Sequence, residues 1–182
     1  MGLKITDLII IQFMDQPHSS GNLIGSLLQA QGRCLATAES CSGGLLGHLI
    51  TNVPGSSDYY LGGFITYSNE AKQRFLGVQP ETLAAFGAVS RETVLEMVRG
   101  VRGAFAHVQP LQKLVGVATS GIAGPGGGTP QKPVGTVWIG FSSAEIEDAQ
   151  LCHFGGTREE IKLQTALKAL EMLKAYLATQ RG

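Results

Sequence analysis

The apolar run Cys34-Leu35-Ala36-Thr37 stops at Ala38-Glu39-Ser40-Cys41-Ser42-Gly43-Gly44, and a stretch with helical character follows directly. A short buried strand that ends on small hydroxyl residues and re-emerges through glycine as a helix is a building unit of α/β folds. Its turn is also where many α/β enzymes hold a nucleophile. Gly43 and Gly44 have no Cβ, so the backbone there can approach a ligand closely. Amides at the following helix start can hold an anion or a developing oxyanion. Taken alone, the stretch reads first as an ordinary βα turn with a serine N-cap.

The rest of the chain alternates in the same way. Asn22–Gly32 places Leu23, Leu27 and Ala30 at helical spacing and ends on glycine. Strands are predicted over 34–38, 61–67, 114–118, 134–142 and 150–154. Helices are predicted over 44–52, 69–76 and 81–86, the last opened by Pro80. Ser90 caps a longer helix to about Phe105, with Val94, Met97, Val98 and Val101 on one face. Thr157-Arg158-Glu159-Glu160 has capping-box spacing and starts a helix to about Thr179, with a stripe of Leu163, Leu167, Leu170, Leu173 and Leu177. Interleaved strands and helices predict a single α/β layered domain over 21–182, its sheet mixed and partly parallel, with antiparallel pairing among the late strands. Residues 1–20 read as an N-terminal arm. Its apolar run Leu8–Phe13 is too short to span a bilayer, lacks the marks of a signal peptide, and would pack on the body or on a neighbouring subunit.

Charge and cysteine usage narrow the function classes. Lys plus Arg and Asp plus Glu both number 14, so no net field recruits nucleic acid or an anionic membrane, and any anion binding must be local. Glycine, at 25 of 182 residues, is about double its average rate, which suggests several tight backbone approaches. Cys34, Cys41 and Cys152 form an odd set without metal spacing, which suits a reducing cytoplasm. The four histidines stand singly, so no metal site is expected.

Two further polar stretches carry chemistry. In Gly63-Phe64-Ile65-Thr66-Tyr67-Ser68-Asn69-Glu70-Ala71-Lys72 a strand end delivers Tyr67, Asn69 can cap the next helix, and Lys72 lies about one turn in. Tyr67 and Lys72 could thus converge, the lysine acting as a base if desolvated. A surface lysine beside a half-buried tyrosine is the plainer alternative. Ala118-Thr119-Ser120-Gly121-Ile122-Ala123-Gly124-Pro125-Gly126-Gly127-Gly128 follows a strand, where α/β ligand sites usually lie, and its glycines could line a phosphate-binding concavity. It is neither a Walker loop nor a dinucleotide fingerprint. A plain surface loop fits these residues as well.

AESCSGG, GGFITYSNEAK, GAVSRETV, TSGIAGPGGGTPQKPVGTVWIG and FGGTREEI, in this order from about residue 22 to residue 178, resemble the CinA C-terminal domain family. Members of that family include bacterial nicotinamide-nucleotide amidohydrolases. The resemblance implies a three-layer α/β/α fold and hydrolysis of nicotinamide mononucleotide to nicotinate mononucleotide and ammonia, without cofactor. It implies Ser40 as nucleophile and Lys72, with Tyr67, as proton-transfer group. The oxyanion would rest on amides near Ser42, Gly43 and Gly44. Asn69, Thr119, Ser120, Gly121, Gly124, Gly126, Gly127 and Arg158 would bind substrate. Cys41 is the rival nucleophile, but no histidine stands nearby in sequence to activate it. A non-catalytic nucleotide-binding module and an amidase for a different amide are the other readings.

The chain departs from the family pattern in having Ser42 where Thr is common, and Lys162 where an Arg is common. An ammonium cannot supply a guanidinium's fork. Many members carry an N-terminal molybdopterin-binding-like domain. These 182 residues hold no counterpart, so ADP-ribose hydrolysis, attributed to that domain, is not implied. The family name refers to competence and DNA damage, yet nothing in the sequence argues for direct DNA binding. A homo-oligomer, most simply a dimer, is expected because the family self-associates and the apolar arm needs burial.

Overall fold

The computed structural model describes residues 17–179, with side chains from residue 22. The apolar run at Leu8–Phe13 and most of the predicted arm lie outside the described residues. Helix α1 (Pro17–Ala30) leads into β1 (Cys34–Glu39), α2 (Leu45–Thr51) and β2 (Tyr60–Ile65). Helices α3 (Asn69–Leu76), α4 (Pro80–Phe86) and α5 (Arg91–Ala104) precede β3 (Leu114–Gly121). The chain closes with β4 (Thr136–Ser142), β5 (Glu147–His153) and α6 (Arg158–Thr179). The sheet order is β2-β1-β3-β4-β5. β1 runs parallel to both β2 and β3, while β3, β4 and β5 pair antiparallel. This is the expected mixed sheet, with its antiparallel part among the late strands.

Strand alternation sends successive residues to opposite faces and so builds two cores. On one face Leu35, Val115, Val117, Val137 and Ile139 meet α1, α2 and α6. On the other, Ala36, Ala38 and Ala118 meet Val94, Met97, Val98 and Val101 of α5, with Leu76 of α3. The register lays Ala36, Gly116 and Ser142 in one row and Ala38, Ala118 and Gly140 in the next. These small residues make a flat floor that lets α5 sit close. A Cβ on Gly116 would come within 2.8 Å of the Arg102 side chain.

Most helix signals work as predicted. The Ser90 hydroxyl accepts from the Thr93 amide, and Thr157 and Glu160 make the reciprocal capping-box bonds. Three expectations need correction. Ser68, not Asn69, caps α3, its hydroxyl accepting from the Ala71 amide. The buried face of α1 is Ile24, Leu27 and Leu28, whereas Leu23 and Ala30 are exposed. The buried face of α6 is Ile161, Thr165, Ala166, Ala169, Leu173, Tyr176 and Leu177, and Leu163, Leu167 and Leu170 are only half-buried. Small residues fill the half of the buried face nearer the start of α6, so the leucine stripe matches that face only at Leu173 and Leu177.

Candidate active site

The chain leaves β1 toward β2 by way of α2 on one face. It then crosses back to β3, on the other side of β1, by way of α5 on the opposite face. The carboxyl ends of β1 and β3 therefore open a crevice at the point where the winding reverses, the usual ligand position of α/β sheets. A cleft of about 270 Å³ lies there, with Ser40, Lys72 and the glycine-rich loop among its walls.

Ser40 is the first residue beyond β1, and its amide donates to the Thr119 carbonyl of β3, which pins the turn to the sheet. Gly43 and Gly44 take φ values of 62° and 92°, a left-handed pair that a side chain would strain. The Lys72 side chain, one turn into α3, runs inward and is 1% exposed. Its Nζ lies 3.1 Å from Ser40 Oγ and donates to the Thr66 carbonyl at 2.8 Å. Burial pushes the Lys72 ammonium below its ordinary pKa, because the charged form loses its hydration. The same effect pushes the Cys41 thiol up to about 12, which makes it a poor nucleophile although it borders the cleft.

Of the predicted residues, Ser40, Tyr67, Asn69, Lys72, Ser120, Gly121, Gly124, Gly126, Gly127 and Arg158 all line the cleft. The ionisable groups in this lining that could meet an anion are Lys72 and Arg158, both basic. Arg158 donates to the Gly124 carbonyl and to the Tyr67 hydroxyl, so it ties α6 to the glycine-rich loop and to the end of β2. Among the described residues the amides of Gly124, Gly126 and Gly127 have no hydrogen-bond partner, and Gly124-Pro125 is a cis peptide. Lys132, further along the loop, clamps it by donating to the carbonyls of Phe86 at 2.8 Å and Val89 at 2.7 Å. The Ser120 hydroxyl donates to the Ala88 carbonyl in the same wall.

Four predicted residues do not line the cleft. Thr119 and Ser120 are neighbours in a strand and so face opposite sides; Thr119 is buried, its hydroxyl on Ser42 Oγ at 2.7 Å. Ser42 is also buried and donates to Glu39. The Gly43 amide is taken by the Ser40 carbonyl and the Gly44 amide by Glu39, so neither is free for an oxyanion. The amides without an oxygen acceptor in this turn, among the described residues, are those of Cys41 and Ser42. Both approach the Cys41 sulfur, a weak acceptor. Tyr67 is corrected in a different sense. It lines the cleft but is 59% exposed, and its hydroxyl pairs with Arg158, whereas Lys72 points inward. Lys162 reaches over Gly43, outside the cleft lining.

Glu39 went unassigned in the sequence. Its carboxylate, 2% exposed, accepts from Ser42 Oγ and from the amides of Gly44, Leu46 and Gly47. A lone acid at the end of an otherwise apolar strand was its available signal.

The family model for the CinA C-terminal domain matches residues 18–177. The chain belongs to the CinA C-terminal domain family. A Moorella thermoacetica protein named as competence-damage inducible is 50% identical over 159 residues, covering 87% of this chain and 37% of that protein. The CinA-like protein of Salinibacter ruber is 45% identical over 156 residues, covering 86% of this chain and 36% of that one. The chain thus spans little more than a third of the length of these CinA relatives. Solved structures match over nearly their whole length. The competence damage-inducible protein A of Klebsiella pneumoniae superposes with a TM-score of 0.82 at 33% identity, covering 91% of this chain and 99% of that one. The competence/damage inducible protein CihA of Agrobacterium tumefaciens gives 0.76 at 39% identity, covering 87% and 95%. Among the described residues of this CinA domain, no helix is long and apolar enough to cross a membrane.

Proposed function

We propose that this CinA-family chain is a nicotinamide-nucleotide amidase that hydrolyses nicotinamide mononucleotide to nicotinate mononucleotide and ammonia, acting in the cytoplasm as a homo-oligomer. The observation that carries the reading is the Lys72 Nζ at 3.1 Å from Ser40 Oγ, in a buried site that favours the neutral amine. Neutral Lys72 takes the Ser40 proton as Oγ attacks the carboxamide carbon. The amide of Cys41, which borders the cleft, takes up the oxyanion in place of the thiol sulfur. Lys72 then passes the proton to the departing nitrogen, and ammonia leaves a Ser40 ester. Water gives a proton to Lys72, attacks the ester, and Ser40 recovers its proton as the acid is released.

Two features support a nucleotide substrate. The open amides of Gly124, Gly126 and Gly127 suit a phosphate, and Arg158 beside them supplies a guanidinium. The test is ammonia release from nicotinamide mononucleotide by purified protein, with Ser40→Ala as control. Release that disappears in Ser40→Ala supports the amidase. Binding without release would make the domain a nucleotide-binding module, and release from another amide alone would change the substrate.

A further inference from the structure

Glu39 is a buried carboxylate that makes no ion pair among the described residues, held by four donors from the nucleophile turn and the start of α2. Oε2 accepts from Ser42 Oγ at 2.7 Å, the Gly44 amide at 2.9 Å and the Leu46 amide at 3.1 Å. Oε1 accepts from the Gly47 amide at 2.8 Å. Because the single Ser42 proton goes to Glu39, the 2.7 Å contact between Ser42 and Thr119 must be donated by Thr119. The hydroxyls are thereby ordered in one direction, from β3 through the turn to the carboxylate. The surroundings are shaped to fit it. A Cβ on Gly47 would stand 3.3 Å from Glu39 Oε1 and 3.0 Å from the Tyr60 hydroxyl.

The backbone of the same residue reaches the base. The Glu39 carbonyl accepts from the Thr66 amide at 2.8 Å, and the Thr66 carbonyl in turn accepts from Lys72 Nζ. Glu39 is therefore the joint between the nucleophile, one residue along the chain, and the lysine, held through Thr66. We propose that Glu39 is a positioning residue for the amidase: its carboxylate locks the 40–47 turn and keeps Ser40 Oγ in register with Lys72. The proposal rests on the amidase reading above.

Glutamine is the sharpest probe, since it keeps the shape but turns one acceptor oxygen into a donor nitrogen that must oppose an N–H or the Ser42 hydroxyl. A misplacement on the order of 1 Å at a reacting group can cost about 100-fold. Glu39→Gln is therefore expected to lower kcat for nicotinamide mononucleotide by about that factor, with KM within about threefold, in a protein that melts somewhat earlier but still cooperatively. Ser42→Ala removes one of the four donors without disturbing the acid, and should lower kcat about tenfold. It carries the test should Glu39→Gln not fold. Labelling of Ser40 by a small fluorophosphonate, followed by mass spectrometry, measures the alignment without any natural substrate. Its rate should fall in both variants. Wild-type protein that labels quickly but releases no ammonia would remove the amidase reading, while slow labelling of Glu39→Gln would still uphold the positioning role. Unchanged labelling and kcat in a folded Glu39→Gln, or in Ser42→Ala if the former does not fold, would overturn it. A parallel rise in KM and loss of cooperative melting would also overturn it, by making Glu39 a purely structural cap.

Discussion

Taking Lys72 out of water disfavours its ammonium form, and the same burial holds the Cys41 thiol protonated; a larger share of the lysine stands ready as neutral amine, and the thiol becomes a poorer nucleophile. Ser40→Ala should therefore reduce ammonia release by about 100-fold or more, about 2.7 kcal/mol of transition-state stabilisation, while Cys41→Ala stays active. The reverse pattern in steady-state assays would move the nucleophile to the thiol. Lys72→Arg should fail as a base, since a guanidinium cannot release its proton near neutral pH. Lys72 also leaves a mark on stability. Its folded pKa lies below the ordinary 10.5, so between those two values the unfolded chain binds more protons and stability rises with pH. Below the folded value the burial penalty is present in full; above 10.5 it is gone. Melting curves of wild type and Lys72→Met should show the difference shifting in favour of wild type across that window. A difference independent of pH would mean that the lysine is not perturbed.

At the scale of elements, the glycine-rich loop is a wall held by its own lysine, through Lys132 to the Phe86 and Val89 carbonyls. Lys132→Ala should raise KM for nicotinamide mononucleotide about tenfold with little change in kcat, because in the proposed reading the loop holds the phosphate, away from the reacting carbon. For the same reason nicotinamide riboside, which lacks the phosphate, should be a much poorer substrate. Equal turnover of the two would remove the loop from phosphate binding. The loop itself was legible, as were the helix starts at Ser90 and Thr157, because punctuation by Gly, Pro and capping hydroxyls is local chemistry. From the residues themselves Ser40 and Lys72 read as two separate motifs, joined only by the family resemblance, because their meeting depends on the parallel pairing of β1 with β2. The faces of α1 and α6 were misread for a related reason: Ala166, Ala169 and Thr165 are buried by the closeness of the sheet, which hydrophobicity does not encode. Thr119 and Glu39 show the same limit, since strand facing and long-range acceptors decide their roles.

Over the whole molecule, a network on the side away from the cleft joins the start of β1 to the β4–β5 turn and α6. Arg33 makes a bidentate pair with Glu145, at 2.9 and 2.6 Å, and both meet the Tyr176 hydroxyl. These donors hold the Glu145 carboxyl well below its ordinary range, the Arg33 hydrogen bond contributing most. A depressed folded pKa gives stability that is present above 4.5 and lost as pH falls below it. Acid unfolding followed by circular dichroism should therefore begin at higher pH in Arg33→Met than in wild type, and coincident curves would deny the network that role. The proposed dimer should appear as twice the monomer mass at micromolar concentration, and a monomeric mass would exclude it. The central claim is that Ser40, activated by Lys72, is acylated by the nicotinamide nucleotide. Protein quenched during turnover of nicotinamide mononucleotide and mapped by peptide mass spectrometry should carry the nicotinate mononucleotide acyl group on Ser40. Ammonia release with the acyl group on Cys41, or with no acylated peptide at all, would contradict it.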